Sequence, residues 1–283
     1  MSLIQVIVLA VIQGFAELLP VSSSAHVVVA EKLMGLDPSA PALTLLLVLL
    51  HTGTMFAVIV YFWKDWRVSY FTSASAFGRF AVAIIIATAL TGVIGEALAL
   101  GLGRALLPPS AHGEVEELFG HLELIAPALF AVGVLIVVSY RFERHIAKQK
   151  EVSLRQSALI GAIQGLSLPF RGFSRSGATI SAGMLIGVEK SAAEAFSFAL
   201  AVVLTPPVVA REALRLARQG TLLSIDVRSA VWLSLLGGVL AFGAGLLALK
   251  WISAWLERGR WYYFGIYCML AAIAVALLHR AGY

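Results

Sequence analysis

Two short segments of this sequence carry polar and charged side chains within otherwise apolar surroundings. Residues 11–26 contain the carboxylate of Glu17, three serines and the imidazole of His26, and residues 162–177 contain the guanidinium of Arg175 among serines and glycines. Each segment reads Ile-Gln-Gly, then a proline, then a serine-rich turn. A neighbouring base can make a serine hydroxyl a nucleophile, and an arginine binds phosphate oxygens. These residue types and their spacing predict phosphoryl transfer or hydrolysis.

The first segment supplies a hydroxyl and two candidate bases. Gln13 and Glu17 are four residues apart, so they share one face of a helix. Ser23 and His26 are three residues apart and share a face if a second helix begins near Ser22. The spacing leaves open whether Glu17 or His26 is the base.

The second segment predicts a phosphate cradle around Arg175, whose planar fork suits phosphate oxygens. Glycines beside it let the backbone approach a ligand closely. The alternative is that Arg175 pairs with Glu17 for structure only. Taking both segments together, the candidate phosphate-binding residues are Ser22, Ser24, Arg171, Gly172, Ser174, Ser176, Gly177 and Thr179.

A divalent cation, Mg²⁺ or Ca²⁺, is expected to arrive with a diphosphate substrate. The candidate metal ligands of the protein are Glu17 and Gln13. A single carboxylate supplies too few ligands for a complete metal site, so we expect the substrate to contribute most of the ligands.

Composition places the chain in a membrane. Hydrophobic residues make up 60% of the sequence and charged residues 13%, and the mean hydropathy is +0.90, whereas soluble domains carry about 25% charged residues. The net charge of +5 does not indicate a nucleic-acid partner, because the basic residues lie mainly between the apolar segments. A span needs about 20 mostly apolar residues, and the expected spans are Pro41–Trp63, Phe80–Gly103, Leu124–Tyr140, Ala193–Ala210, Ala230–Leu249 and Trp261–His279.

The two polar segments are predicted to be re-entrant helical hairpins. Pro20 interrupts the first, and the serines that follow can cap a second helix. Pro169 and Gly172 break the second copy, and Ser174 or Ser176 can begin its next helix. Irregular backbone at membrane depth persists only when it is buried in protein or lines a polar cavity. We therefore expect the two tips to meet inside the membrane; ordinary kinked spans are the alternative.

The predicted fold is an all-α integral membrane protein with six transmembrane helices and two re-entrant hairpins. We expect one domain in two halves, about 1–150 and 151–283, each a hairpin followed by three spans. Because each half has an odd number of spans, the second half begins on the opposite side of the membrane and has inverted topology. The distribution of basic residues favours both termini outside, with 106–122 as an exterior loop.

The chain resembles the undecaprenyl-diphosphate phosphatases, also called bacitracin-resistance proteins, along nearly its whole length. The resemblance implies removal of one phosphate from the diphosphate lipid that carries cell-wall precursors, and with it bacitracin resistance. It also implies a bacterial inner-membrane protein whose site opens to the periplasmic side. The segments that carry the resemblance are Gln13–His26, Gly172–Ile180, His51–Thr54, Tyr61–Asp65 and Ala195–Phe198.

The resemblance also implies roles for four residues. Glu17 lies in the family's acidic motif for base or metal work, and Ser23 matches the proposed nucleophile. His26 matches a histidine proposed to take part, and Arg175 matches the phosphate-binding arginine.

The sequence departs from the family at three positions near the site. Gln13 stands where many relatives have a second glutamate, Arg171 precedes Gly172 where a proline is usual, and Ala25 replaces a common glycine. The first departure weakens a two-carboxylate metal site, and the second adds a positive charge near the phosphate.

Two questions stay open at this point. A polyprenyl-phosphate flippase or anion transporter is the alternative function, and it would need Arg175 but no activated serine. The sequence does not decide between a monomer and a homodimer.

Overall fold

The computed structural model describes residues 1–37, 40–106, 122–143, 148–218 and 227–281. The predicted exterior loop falls almost entirely outside this description. Ten helices account for most of the described chain: α1 (Leu3–Leu18), α2 (Ser23–Leu33), α3 (Pro41–Tyr70), α4 (Ala74–Leu106), α5 (Leu122–Phe142), α6 (Leu154–Ser167), α7 (Arg175–Leu185), α8 (Lys190–Arg218), α9 (Val227–Glu257) and α10 (Tyr262–Arg280).

Six of the described helices are long and apolar enough to cross a membrane, and they are α3, α4, α5, α8, α9 and α10. This confirms the six expected spans and makes the chain a multi-pass membrane protein. Five of the six helices are longer than the apolar stretches that predicted them, because they continue into polar residues, and α10 has the expected length of 19 residues. The helix α3, for example, runs past Trp63 to Tyr70.

The two hairpins are the pairs α1–α2 and α6–α7, and both open with a serine followed three residues later by a glutamine. Ser2 and Gln5 form a capping box at the start of α1, and Ser153 and Gln156 form one at the start of α6. Such a box satisfies free N–H groups at a helix start from both directions. The first helix of each hairpin is too short to span a bilayer alone, which agrees with re-entry; the depth of the hairpins in the membrane stays a prediction.

Each half packs against the other half through its first hairpin helix. The first hairpin helix of each half lies against the second span of the other half: α1 against α9, and α6 against α4. Glycines make both approaches close. A Cβ atom at Gly14 would lie 2.8 Å from the carbonyl oxygen of Ala241, and one at Gly161 would collide with the backbone of Ala87. This exchange of partners brings the two hairpins side by side; the inverted topology of the two halves stays a prediction.

The hairpin helix α2 rests on α5 and α10. Ala25 and Val28 of α2 pack with Leu129 of α5 and Val275 of α10 in one buried cluster. The helices α5 and α10 are themselves in close contact, since a Cβ atom at Gly133 would lie 2.8 Å from the carbonyl oxygen of Gly265. The tip of the first hairpin therefore has a firm support in the last helix of the chain.

Candidate active site

The carboxylate of Glu17 lies where the two hairpin tips meet. Its Oε2 accepts a hydrogen bond from the Ser23 hydroxyl at 2.5 Å and one from the Gln13 amide at 3.2 Å. Its Oε1 accepts a hydrogen bond from Nη2 of Arg175, at 2.9 Å. One carboxylate thus holds the hydroxyl of the first hairpin and the guanidinium of the second, which confirms that the tips meet.

Arg175 uses only part of its donor set in this arrangement. It is the first residue of α7, so its guanidinium extends from the start of a helix toward α1. The Nη2 atom serves Glu17, whereas Nη1 is buried and has no hydrogen-bond partner among the described residues. A buried donor on a charged group is costly to leave unpaired. An anionic ligand that reached Nη1 would satisfy it.

The turn before α2 has an unusual backbone. Ser22 has φ +67°, a conformation that residues with a Cβ adopt at a cost. The side chain of Ser22 makes no capping hydrogen bond to α2, so the expectation of serine capping is wrong for this residue. Its hydroxyl donates instead to the carbonyl oxygen of Arg171 at 3.4 Å, as does that of Ser24 at 3.5 Å. These bonds tie the first tip to the second.

The remaining phosphate candidates have partners within the protein. Ser174 caps α7 by accepting from the Gly177 amide at 3.2 Å, which confirms the predicted helix start. The Ser176 hydroxyl donates to the carbonyl oxygen of Leu19 at 3.4 Å. The Thr179 hydroxyl donates to the carbonyl oxygen of Arg175 at 2.8 Å and lies 2.6 Å from the Ser197 hydroxyl. These hydroxyls build the second tip; their contact with phosphate stays a prediction.

The two glycines of the second tip serve close packing. A Cβ atom at Gly172 would collide with the backbone of α5 at Ile125 and lie 2.9 Å from the amide of Leu129. One at Gly177 would lie 3.1 Å from the Ile136 side chain. The backbone of this tip is therefore pressed against α5, which fixes the position of Arg175.

His26 is turned away from the Ser23 hydroxyl. Its Nδ1 lies 2.7 Å from the carbonyl oxygen of Ser22, and its Nε2 lies 2.7 Å from the hydroxyl of Tyr267. Both ring nitrogens therefore have partners other than Ser23. Of the two bases that the sequence left open, Glu17 has the geometry to take the Ser23 proton.

Two residues near the site were missed or undervalued by the sequence reasoning. His51 lies with Nε2 3.9 Å from Oε2 of Glu17, and its Nδ1 is 2.8 Å from the carbonyl oxygen of Leu47. The Thr-Gly-Thr that follows His51 in the sequence was the available signal. Tyr267 lies in an apolar span and carries no motif, so no local signal identifies it.

The described side chains at the hairpin junction fit a resident metal ion poorly. Gln13 directs its amide nitrogen, a donor, toward Glu17, and Arg175 places a positive charge 2.9 Å from the same carboxylate. A cation bound directly to Glu17 would meet that charge. Within the described ranges, no three His, Cys, Asp or Glu side chains lie together as a metal would need. The role of Glu17 and Gln13 as metal ligands stays a prediction.

Fold and site together define a polytopic membrane protein in which a carboxylate, a serine hydroxyl and a guanidinium meet at the junction of two helical hairpins. A family model described as bacitracin resistance protein BacA matches residues 6–274. The chain therefore belongs to the bacitracin resistance protein BacA family.

Curated relatives extend along the whole chain. Undecaprenyl-diphosphatase 2 of Acinetobacter baylyi is 54% identical over 273 residues, which cover 95% of this chain and 95% of the relative. Undecaprenyl-diphosphatase 2 of Burkholderia ambifaria is 34% identical, with 96% and 95% covered. Undecaprenyl-diphosphatase of Rhodopirellula baltica is 29% identical, with 98% of each chain covered.

Proposed function

We propose that this protein removes the terminal phosphate of undecaprenyl diphosphate, giving undecaprenyl phosphate and inorganic phosphate. The observation that carries the proposal is the shared carboxylate: Glu17 accepts from the Ser23 hydroxyl at 2.5 Å and from Arg175 at 2.9 Å. The names of the relatives supply the substrate. Membership of the bacitracin resistance family supports a role in resistance, because hydrolysis removes the diphosphate that bacitracin captures.

The first chemical step is attack by Ser23. Its oxygen forms a bond to the terminal phosphorus while the proton passes to Oε2 of Glu17. The bond between that phosphorus and the bridging oxygen breaks, and undecaprenyl phosphate leaves with the electron pair. The proton held by Glu17 passes to the leaving undecaprenyl phosphate, which restores the carboxylate. In the second step Glu17 takes a proton from a water whose oxygen bonds to the phosphorus; the bond between phosphorus and the Ser23 oxygen breaks, Ser23 regains the proton, and inorganic phosphate leaves.

Arg175 couples substrate binding to activation of the base. In the free protein its charge holds Glu17 as a weakly basic carboxylate. A phosphate that binds the unpaired Nη1 shares the positive charge of the guanidinium with the carboxylate and so weakens its hold on Glu17. Glu17 then becomes a better base at the moment when the phosphorus is in place. The same guanidinium stabilises the charge that develops on the phosphate oxygens.

The wider setting follows from the lipid substrate and the family. We infer that the hairpins are re-entrant, that the protein resides in the bacterial inner membrane and that the site opens to the periplasmic side. A divalent cation, Mg²⁺ or Ca²⁺, would enter as a counter-ion of the diphosphate, and no step above is routed through it. Formation of a homodimer stays a prediction.

Hydrolysis is favoured over transport by one contact. A flippase or anion transporter would need the arginine but would have no use for a serine held on a base. The short hydrogen bond from Ser23 to Glu17 therefore supports an enzyme.

The proposal is tested by phosphate release from undecaprenyl diphosphate in detergent. We expect Ser23→Ala to lower turnover at least about a hundredfold, since an activated nucleophile is lost. Ser157→Ala is the matched control: this buried serine donates to the carbonyl oxygen of Leu154 within its own helix, at 2.8 Å, and should keep normal turnover. Absence of phosphate release by the unmodified protein would reject the enzyme proposal, and full activity of Ser23→Ala would reject the serine mechanism.

A further inference from the structure

The turn that carries Ser23 is held from outside the hairpin. Ser22, the residue before Ser23, has φ +67° and is the one non-glycine residue with positive φ in the described part of the chain. A strained conformation persists only when its surroundings enforce it. Contacts with neighbouring groups must therefore hold Ser22 in this conformation.

Two side-chain contacts from α10 reach this turn. The Tyr267 hydroxyl lies 2.7 Å from Nε2 of His26, whose Nδ1 lies 2.7 Å from the carbonyl oxygen of Ser22. The next residue, Cys268, is fully buried and donates its S–H to the carbonyl oxygen of Pro20 at 3.3 Å. Neighbouring residues of α10 thus fix the backbone on both sides of Val21.

Chemistry sets the direction of the longer chain of hydrogen bonds. A backbone carbonyl oxygen only accepts, so Nδ1 of His26 must carry a proton. In the neutral ring Nε2 is then an acceptor, and the Tyr267 hydroxyl donates to it. The His26 and Tyr267 rings also lie nearly parallel, with centroids 5.7 Å apart and planes 12° apart. The imidazole is therefore fixed in orientation and in tautomer.

We propose that Tyr267 is a positioning residue for the hydrolytic site: through His26 it holds the strained Ser22 turn so that the Ser23 hydroxyl rests on Glu17. His26 then serves as a link in this chain and does not act as the base. This inference depends on the proposed hydrolysis, and it adds a residue of the last helix to the machinery formed by the two hairpins.

The first test replaces the tyrosine hydroxyl alone. Tyr267→Phe keeps the ring against His26, and we expect kcat to fall about tenfold, equivalent to about 1.4 kcal/mol, with KM within about twofold. The matched control is Tyr263→Phe on the same face of α10. Both tyrosines are 45% exposed, but Tyr263 lies against Trp255 and should keep wild-type turnover. Unchanged kcat in Tyr267→Phe, or a rise in KM alone, would overturn the proposal.

A second test separates positioning from general loss of packing. In a Ser22→Gly background the turn adopts positive φ without strain, so the added effect of Tyr267→Phe on kcat should shrink to about twofold. In a Ser22→Ala background the strain remains, and the effect should stay about tenfold. Equal effects in the two backgrounds would contradict the role of Tyr267 in holding the turn.

A third readout does not require catalysis. The NMR shifts of the His26 ring nitrogens, assigned with His26→Gln, should report the Nδ1–H tautomer in the wild type, and the Nε2 shift should move in Tyr267→Phe because Nε2 loses the hydroxyl that donates to it. An unchanged Nε2 shift in Tyr267→Phe would overturn the positioning chain even if the protein were inactive. Conversely, the expected shifts in a protein that releases no phosphate would reject the proposed function and leave the hydrogen-bond chain standing.

Discussion

Replacing Glu17 by glutamine separates what this residue does for stability from what it does for chemistry. The amide keeps the shape of the carboxylate but removes its charge. It then leaves Arg175 without an anionic partner in a site where the side chains of Arg175 and Glu17 are only 20% and 16% exposed. Breaking a buried ion pair costs about 3–5 kcal/mol, and partial exposure reduces this to about 2–3 kcal/mol. Loss of the base should lower turnover by about a hundredfold to ten-thousandfold.

The double variant Glu17→Gln/Arg175→Met distinguishes the two effects. It removes both charges, so we expect most of the lost stability to return, because a buried ion pair can be replaced by apolar groups at little cost. Turnover should not return, since neither the base nor the phosphate-binding group is present. Stability is measured by denaturant unfolding in detergent, followed by circular dichroism, and turnover by phosphate release.

The control is an ion pair elsewhere in the fold. Glu143 is buried and lies 2.6 Å from Lys190, outside the hairpin junction. Glu143→Gln should destabilise the protein to a similar extent and leave kcat within about twofold once the folded fraction is counted. Normal turnover in Glu17→Gln, or a double variant less stable than either single one, would refute the reasoning.

Two further predictions follow from the contacts. Arg175→Lys should lower kcat/KM about a hundredfold in the phosphate-release assay, because a single ammonium cannot hold the carboxylate and a phosphate through two fixed donors; a loss below about threefold would contradict this. Gly53→Ala should cost about 1–3 kcal/mol in denaturant unfolding, because its Cβ would collide with the backbone of Gly238 and overpack the α3–α9 contact. The control Gly92→Ala meets open space, and equal stability of these two alanine variants would count against that packing.

Much of the fold could be predicted from composition and repetition. Runs of about 20 apolar residues identify spans whatever their neighbours are, and the repeated Ile-Gln-Gly, proline and serine pattern identifies the two hairpins. The ends of the helices could not be predicted in the same way. The helix α3 continues through Lys64 and Asp65 to Tyr70, because helical hydrogen bonding does not stop where the apolar stretch stops.

The candidate site was predictable where its residues are near one another in the sequence or belong to the repeated pattern. Glu17 and Ser23 are six residues apart, and Arg175 stands in the matching turn of the second copy. His51 and Tyr267 lie near the site only because α3 and α10 pack beside the hairpins. The spacing of residues along the sequence does not predict such contacts. The positive φ of Ser22 could not be predicted either, because a serine in a sequence does not indicate that its backbone adopts this conformation.

Trapping of the phosphorylated enzyme tests the central claim most directly. Purified protein is mixed with undecaprenyl diphosphate, quenched with acid on the timescale of one turnover and digested for mass spectrometry. The account predicts phosphate on the peptide that contains Ser23, its loss in Ser23→Ala and its accumulation when attack by water is slowed. Normal phosphate release by Ser23→Ala, with no phosphorylated Ser23 in the wild type at any time, would contradict the account.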